Sequence, residues 1–183
     1  MIKKLFILFA VVAVSFIFFA SGVRKAEAST AYPVRLIIPS IGLDAPIQSV
    51  GLNNKGEMAV PDGTTGKVGW YEYGALPGAI GSAVLDAHVY AAFSKLKYLH
   101  AGSDIYVVTR NNTALHFVVS QTEVSPLGRL STDTLFNLKD AKRLNLITCA
   151  GTYIPALGTY DQRRVAHAIL ADQGTLSGVG HAS

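Results

Sequence analysis

From Tyr32 onward, apolar residues come in short runs cut off by turn residues, the spacing of strands and not of long helices. Val34-Arg35-Leu36-Ile37-Ile38 is a strand stopped by Pro39. Residues 47–52 form a second. Asn53-Asn54-Lys55-Gly56 is a turn signal before a short strand at Met58-Ala59-Val60, and Pro61-Asp62-Gly63 turns the chain again. Val68-Gly69-Trp70-Tyr71 is an aromatic, half-buried strand. Pro77, Gly78 and Gly81 bracket a loop before the strand over 82–88. Phe93, Leu96 and Leu99 recur at the spacing of one face of a short helix over 91–99. Residues 105–110 and 114–123 pair as a hairpin around Asn111-Asn112. One or two helical turns fall in 132–142, capped by Thr132 or Asp133. A strand at 144–149 and a last strand at 163–170 complete the pattern. Many short strands at close spacing point to an all-β barrel or sandwich.

The first residues are different. Lys3 and Lys4 precede an apolar run over 5–20 that only Ser15 interrupts, followed by Ser21, Gly22, Val23, Arg24 and Lys25. This is an export segment with a positive start, a hydrophobic middle and a polar end. Extended through Val23, the stretch is 19 residues long, enough to span a bilayer with snorkelling flanks. Ala26-Glu27-Ala28 also has the small-x-small form of a cleavage site, so cleavage near Ala28 and release is the alternative. The reading favours an uncleaved anchor with the body outside the cytoplasmic membrane. The domains are then 1–29 as signal or anchor, 30–173 as one β domain, and 174–183 as a small, polar, flexible tail.

Half of the residues are hydrophobic and 15% are charged, so a full core needs no covalent staples. One cysteine rules out an internal disulfide and any multi-cysteine zinc site. Of the net charge of +4, +3 lies in residues 1–28. The +1 that remains offers no basic stripe for nucleic acid. The histidine spacings form no local metal motif. Asp44, Glu57, Asp62 and Glu72 are too scattered for a calcium site to be assigned, so no cofactor is expected, with calcium activation left open.

The candidate chemistry begins at Cys149, where the run Leu144-Asn145-Leu146-Ile147-Thr148 stops and Ala150-Gly151-Thr152 opens a loop. A lone cysteine is most often inert core filling. As a nucleophile it needs a base or imidazolium partner, because the thiolate attacks. His88 stands where another strand runs out into a loop. His116 and His167 lie inside strands and read as structural. His100 is in a turn and His181 in the tail. Acyl transfer also needs a group for the oxyanion, and Arg163 and Arg164 open the strand after Cys149. Faces alternate along a strand, so one of the two can face the site.

These residues resemble the motifs of a known family. Asn-Leu-Ile-Thr-Cys at 145–149 resembles the Thr-Leu-x-Thr-Cys signature of sortases, with Asn145 where threonine is usual. His88, after Pro77-x-x-x-Gly81-Ser82-Ala83-Val84-Leu85, resembles their histidine segment. Arg163-Arg164-Val165-Ala166-His167-Ala168 resembles their closing arginine strand, in a register that aligns Arg163 and leaves Arg164 facing the other way. Leu36-Ile37-Ile38-Pro39-Ser40-Ile41-Gly42, Ala45-Pro46-Ile47, Val50-Gly51-Leu52 and Val68-Gly69-Trp70-Tyr71 are also similar, and the smaller class E and class F sortases are most alike. The likeness covers roughly residues 33–171. Ala87, with Asp86 before it, departs from the usual glycine before the histidine. Ala166 is smaller than usual and His167 is unusual.

The resemblance implies a closed eight-stranded barrel with short helices in its loops, and a cysteine transpeptidase acting on a Leu-Pro-x-Thr-Gly-like signal. Cys149 would be the nucleophile, His88 the proton carrier and Arg163 the oxyanion holder. Implied partners are exported proteins with a C-terminal sorting signal, an amine of peptidoglycan or a pilin, and the membrane through the N-terminal segment. Residues 127–136 are the expected groove wall. Two rivals are an exported β-barrel binding module with an inert buried cysteine, and another exported cysteine acyl-transfer enzyme such as a peptidoglycan transpeptidase. The latter lacks its usual histidine and glycine just before the cysteine.

Overall fold

The computed structural model describes residues 31–175, and the expected anchor at 1–29 lies outside them. Eight strands form: β1 (Pro33–Ile38), β2 (Leu43–Val50), β3 (Val68–Tyr71), β4 (Gly81–Asp86), β5 (Asp104–Thr109), β6 (Thr113–Pro126), β7 (Lys142–Ile154) and β8 (Thr159–Thr175). They close into a barrel in the order β1-β2-β3-β4-β7-β8-β6-β5. Closure leaves no unpaired sheet edge. Two neighbouring pairs are parallel, β2 with β3 and β4 with β7, and the other six are antiparallel. Among the described residues, no helix is long and apolar enough to cross a membrane.

Alternation along the strands fills the interior. Leu36, Ile38, Ala45, Val68, Trp70, Ala83, Leu85, Ile105, Val107, Leu115, Phe117, Leu144, Leu146, Ala166 and Ala168 form one buried cluster. Large and small residues together fit the taper of a small barrel. The small Ala166 is therefore an interior position and not part of a surface pocket. Phe93, Leu96 and Leu99 join the same core from the connection after β4. They bury as the sequence spacing predicts. However, the segment folds as consecutive turns, with a single tight helical turn at Leu96–Tyr98, and not as a helix over 91–99.

The expected strand at 58–60 reduces to one bridge, Leu52 to Met58. The expected helical turns in 132–142 form as one wide turn at Asp133–Asn137. The hairpin of β5 and β6 turns where expected, with Asn112 in the left-handed region at φ 63° that asparagine tolerates. The last three strands run longer than their apolar cores. β8 continues through Gly174 and Thr175, which pair with Ala114 and Thr113, so the first residues of the expected tail belong to the sheet.

Phe117 has no exposed surface and sits in the middle of this core. Phe117→Ala should cost about 3–5 kcal/mol, read as a fall in urea midpoint at constant slope.

Candidate active site

β4 runs parallel to β7, with Asp86 opposite Ile147, and β7 runs antiparallel to β8, with Cys149 opposite Arg163. Paired residues share a face, so the pairing defines rungs across three strands. Leu144 and Leu146 on β7, Ala83 and Leu85 on β4, and Ala166 and Ala168 on β8 face the core. The alternate positions therefore lie on the outer face: Asn145, Ile147 and Cys149; Val84 and Asp86; Arg163, Val165 and His167. His88 lies two residues past the Asp86–Ile147 pair, in the connection that leaves β4 toward the end where Cys149 stands on β7. The three expected residues thus come to the same end of three neighbouring strands. Arg164 pairs with Thr148 and takes the opposite face.

Each of the three is locally fixed. Thr148 is buried and its hydroxyl donates to the carbonyl of Ala87 at 2.7 Å, tying the peptide just before His88 to the residue just before Cys149. Asn112 is the only described non-glycine residue with positive φ. The Cβ of Ala87 therefore carries no backbone strain and instead packs in the core, 1% exposed. His88 stacks on Tyr90, with ring centroids 4.8 Å apart. Beyond Cys149 the pairing slips between Ala150 and Tyr153. Gly151 takes φ 78° there, and a Cβ would collide with the Asp161 carboxylate that accepts from the Thr152 N–H at 2.7 Å. That bulge lets β7 bend away directly after the cysteine. Cys149 is half-buried, not core.

Arg163 is held by the start of its own strand. Its Nη1 donates to the carbonyls of Tyr160 (3.0 Å) and Gln162 (2.9 Å), and its Nη2 to the Thr159 hydroxyl at 2.9 Å. Asp86, one rung from Cys149, is enclosed by protein except for an edge, and burial pushes its carboxyl up to about 7. The Arg163 charge and the Ala87 N–H act in the opposite sense. Nothing in sequence composition flagged Asp86. Alternation along the strand before His88 could have placed it on this face.

The connections flank this face. In the loop between β2 and β3, the Asp62 carboxyl is held below its usual range by the Thr64 N–H and hydroxyl, and to a smaller degree by His88. A Cβ on Gly63 would strike the Tyr90 ring. On the other side, within the expected wall at 127–136, Leu135 is buried and Phe136 meets Tyr71 edge-on at 5.3 Å.

The remaining candidates lie elsewhere. His116 pairs with Asp104 at 2.8 Å and stacks on Tyr106, while the His100 ring meets the Ala101 carbonyl. His167 is buried in β8, and His181 lies outside the described residues. Asp44, Glu57, Asp62 and Glu72 engage separate partners: Arg35, Asn53, Thr64 and Ser49. Among the described residues, no three potential metal ligands converge.

A lone half-buried thiol just before the bulge of β7, which continues past it to Ile154 and not into the loop expected there, with a guanidinium opposite it on β8 and an imidazole just past the end of β4, is an arrangement suited to cysteine acyl transfer. The sequence model of the sortase domain matches residues 36–171. Among solved structures, the SrtA sortase from Actinomyces oris is similar, at 21% identity and TM-score 0.61, over 82% of this chain and 85% of that one. Sortase A of Listeria monocytogenes is 18% identical at TM-score 0.60, over 81% and 92%. The Clostridium perfringens sortase D5 transpeptidase is 20% identical at TM-score 0.59, over 77% and 79%. At these identities the structures show a shared fold. No curated protein sequence matches. The chain belongs to the sortase family, and the eight-stranded barrel is the fold the resemblance implied.

Two variants test this geometry. Thr148→Val keeps the shape but strands the Ala87 carbonyl, and should cost about 1–2 kcal/mol in thermal unfolding. Asp86→Asn should act through pH. A carboxyl whose folded pKa lies near 7 binds its proton more tightly folded than unfolded. Stability therefore falls as pH rises from its ordinary value of about 4 toward 7. Asp86→Asn removes that loss, so it should raise Tm at pH 8 by about 3 °C or more and change it little at pH 4. An equal shift at both pH values would contradict a perturbed Asp86.

Proposed function

We propose that the protein is an extracytoplasmic cysteine transpeptidase. It cleaves a Leu-Pro-x-Thr-Gly-like sorting signal and joins the acyl fragment to an amine of the cell wall or a pilin. The observation that carries the reading is the shared outer face of Cys149 and its register partner Arg163, with His88 just past the end of the neighbouring β4. The Cys149 thiolate attacks the Thr–Gly carbonyl and a sulfur–carbon bond forms. The carbonyl pair moves onto oxygen, where Arg163 meets it. Three of its five N–H groups go to residues 159–162 at the start of β8. That leaves Nε and one Nη2 proton, preorganised for an oxyanion. As the carbon–nitrogen bond breaks, His88 gives its proton to the leaving glycine amine. The incoming amine attacks the thioester, His88 takes a proton from it, and the thiolate leaves. Lys3, Lys4 and the apolar run after them fit a membrane anchor that would hold this domain where both signal and acceptor are exposed.

Mixing the purified protein with Leu-Pro-x-Thr-Gly peptides and excess small amine should give a peptide acyl adduct by intact mass and an amine-capped product. Cys149→Ala should abolish the adduct. His88→Ala should lower turnover about 10²–10⁴-fold and Arg163→Ala about 10²–10³-fold. Arg164→Ala should stay within about threefold, since its side chain takes the other face. Equal losses for the two arginines would refute the assignment, and no adduct with any peptide would refute the transpeptidase.

A further inference from the structure

Two residues that depart from the family pattern, Asn145 and His167, face each other in the pairing of β7 with β8. They are 1% and 7% exposed. Asn145 Nδ2 donates to the Leu135 carbonyl at 2.6 Å. A carbonyl has no proton to give, so this bond fixes which way the amide points. Asn145 Oδ1 is then the atom facing His167 Nδ1, at 2.8 Å. An amide oxygen only accepts, so Nδ1 carries a proton. The other ring nitrogen, Nε2, lies 3.3 Å from Glu123 Oε1 on β6. An ionised carboxylate oxygen also only accepts, so the Glu123 contact is complete only when Nε2 bears a proton too.

We propose that Glu123, His167 and Asn145 form a proton-carrying brace that fixes residues 131–138 against the β4–β7–β8 face and so positions the wall of the substrate groove. The chain of bonds crosses three strands and ends on the backbone of that wall. Asn145 lies four residues from Cys149, about 13 Å along a strand, so these are positioning residues that do not touch the reacting atoms. The other charges nearby are occupied. Arg143, one rung farther on β7, is paired with Asp140 through two bonds. Asp133 in the wall accepts from Asn137. Gln121, opposite His167 on β6, is neutral. Asp86 lies one rung toward the site on β4. Glu123 is thus the carboxylate that meets the ring. If the ring loses either proton, one link turns into two facing acceptors. The role in substrate positioning rests on the sortase reading, but the brace itself does not.

The test uses the full chain and two variants, Asn145→Ala and the milder Glu123→Gln. In the wild type at neutral pH, the ¹⁵N shifts of His167 should show both ring nitrogens protonated, and in Glu123→Gln one should lose its proton. Amide exchange over 131–138 should quicken about tenfold in both variants, the equivalent of one lost hydrogen bond, while core strand amides stay unchanged. KM for the sorting peptide should rise about fivefold or more with kcat within about twofold, the split expected when a binding wall loosens without loss of chemistry. A wild-type His167 with one bare nitrogen would overturn the brace, as would unchanged exchange over 131–138 in both variants. Faster exchange with unchanged KM would overturn its positioning role. A wild type that processes no peptide would refute the transpeptidase instead, and the shifts and exchange rates would still decide the brace.

Discussion

The parallel pairing of β4 with β7 is the constraint on which the site depends. Parallel strands run toward the same rim of the barrel, so His88, just past β4, and Cys149 on β7 lie toward one rim although 60 residues separate them. An antiparallel pairing would set them at opposite rims. β8 then has to be antiparallel to β7, because a short turn joins the two, and its first residues arrive at the rim where β7 leaves. Arg163, the fifth residue of β8, therefore lies toward that rim opposite Cys149, while His88 lies just past the end of β4. The Thr148 hydroxyl locks this geometry by bonding the backbone of one strand end to the other. A slip of one residue between β7 and β8 would set Arg164, not Arg163, on the face of Cys149.

Much of this was legible in the chain. Apolar runs and turn residues marked all eight strands, and alternation alone said that only one of two adjacent arginines could face the cysteine. Local pattern could not show how far each strand runs, because β6, β7 and β8 continue through polar residues whose sheet bonds are made with distant partners. The spacing of Phe93, Leu96 and Leu99 was misread as a helix for a related reason. Three apolar residues at that spacing bury equally well from successive turns when a core waits beneath them. Ala87, which departs from the usual glycine, is accommodated because its φ is not positive and its Cβ is a core contact. Asp86 was invisible as chemistry because its character comes from enclosure and from Arg163, both properties of the assembled face.

The charges on this face act on one another: the attraction of Arg163 partly offsets the burial of Asp86 while that acid is ionised. Its guanidinium is oriented mainly by neutral carbonyls and a hydroxyl instead. That suits the oxyanion role proposed for it. A full ion pair would occupy the donors that a developing alkoxide needs, whereas neutral acceptors fix the group and leave its charge available.

The barrel interior is filled with side chains, so a peptide can bind only on the outside, and the outside of a sheet is nearly flat. Depth has to come from the connections. For the proposed peptide substrate, one wall would be the loop between β2 and β3, which meets the His88 side through Asp62, Gly63 and Tyr90. The other would be the expected wall at 127–136 with the residues that follow it, of which the segment at 131–138 is the braced part. It has no sheet bonds of its own and buries little beyond Leu135 and the edge of Phe136. A segment with so little apolar contact opens readily on its own. A thioester that must wait for an amine needs water kept away, so a wall that opens at random would favour hydrolysis. Buried polar bonds answer this better than added apolar area. They fix one position of the wall through a directional contact, and the partner groups are costly to leave unpaired. Asn145, His167 and Glu123 occupy the positions from which such a bond can reach the wall, on the face that carries Cys149.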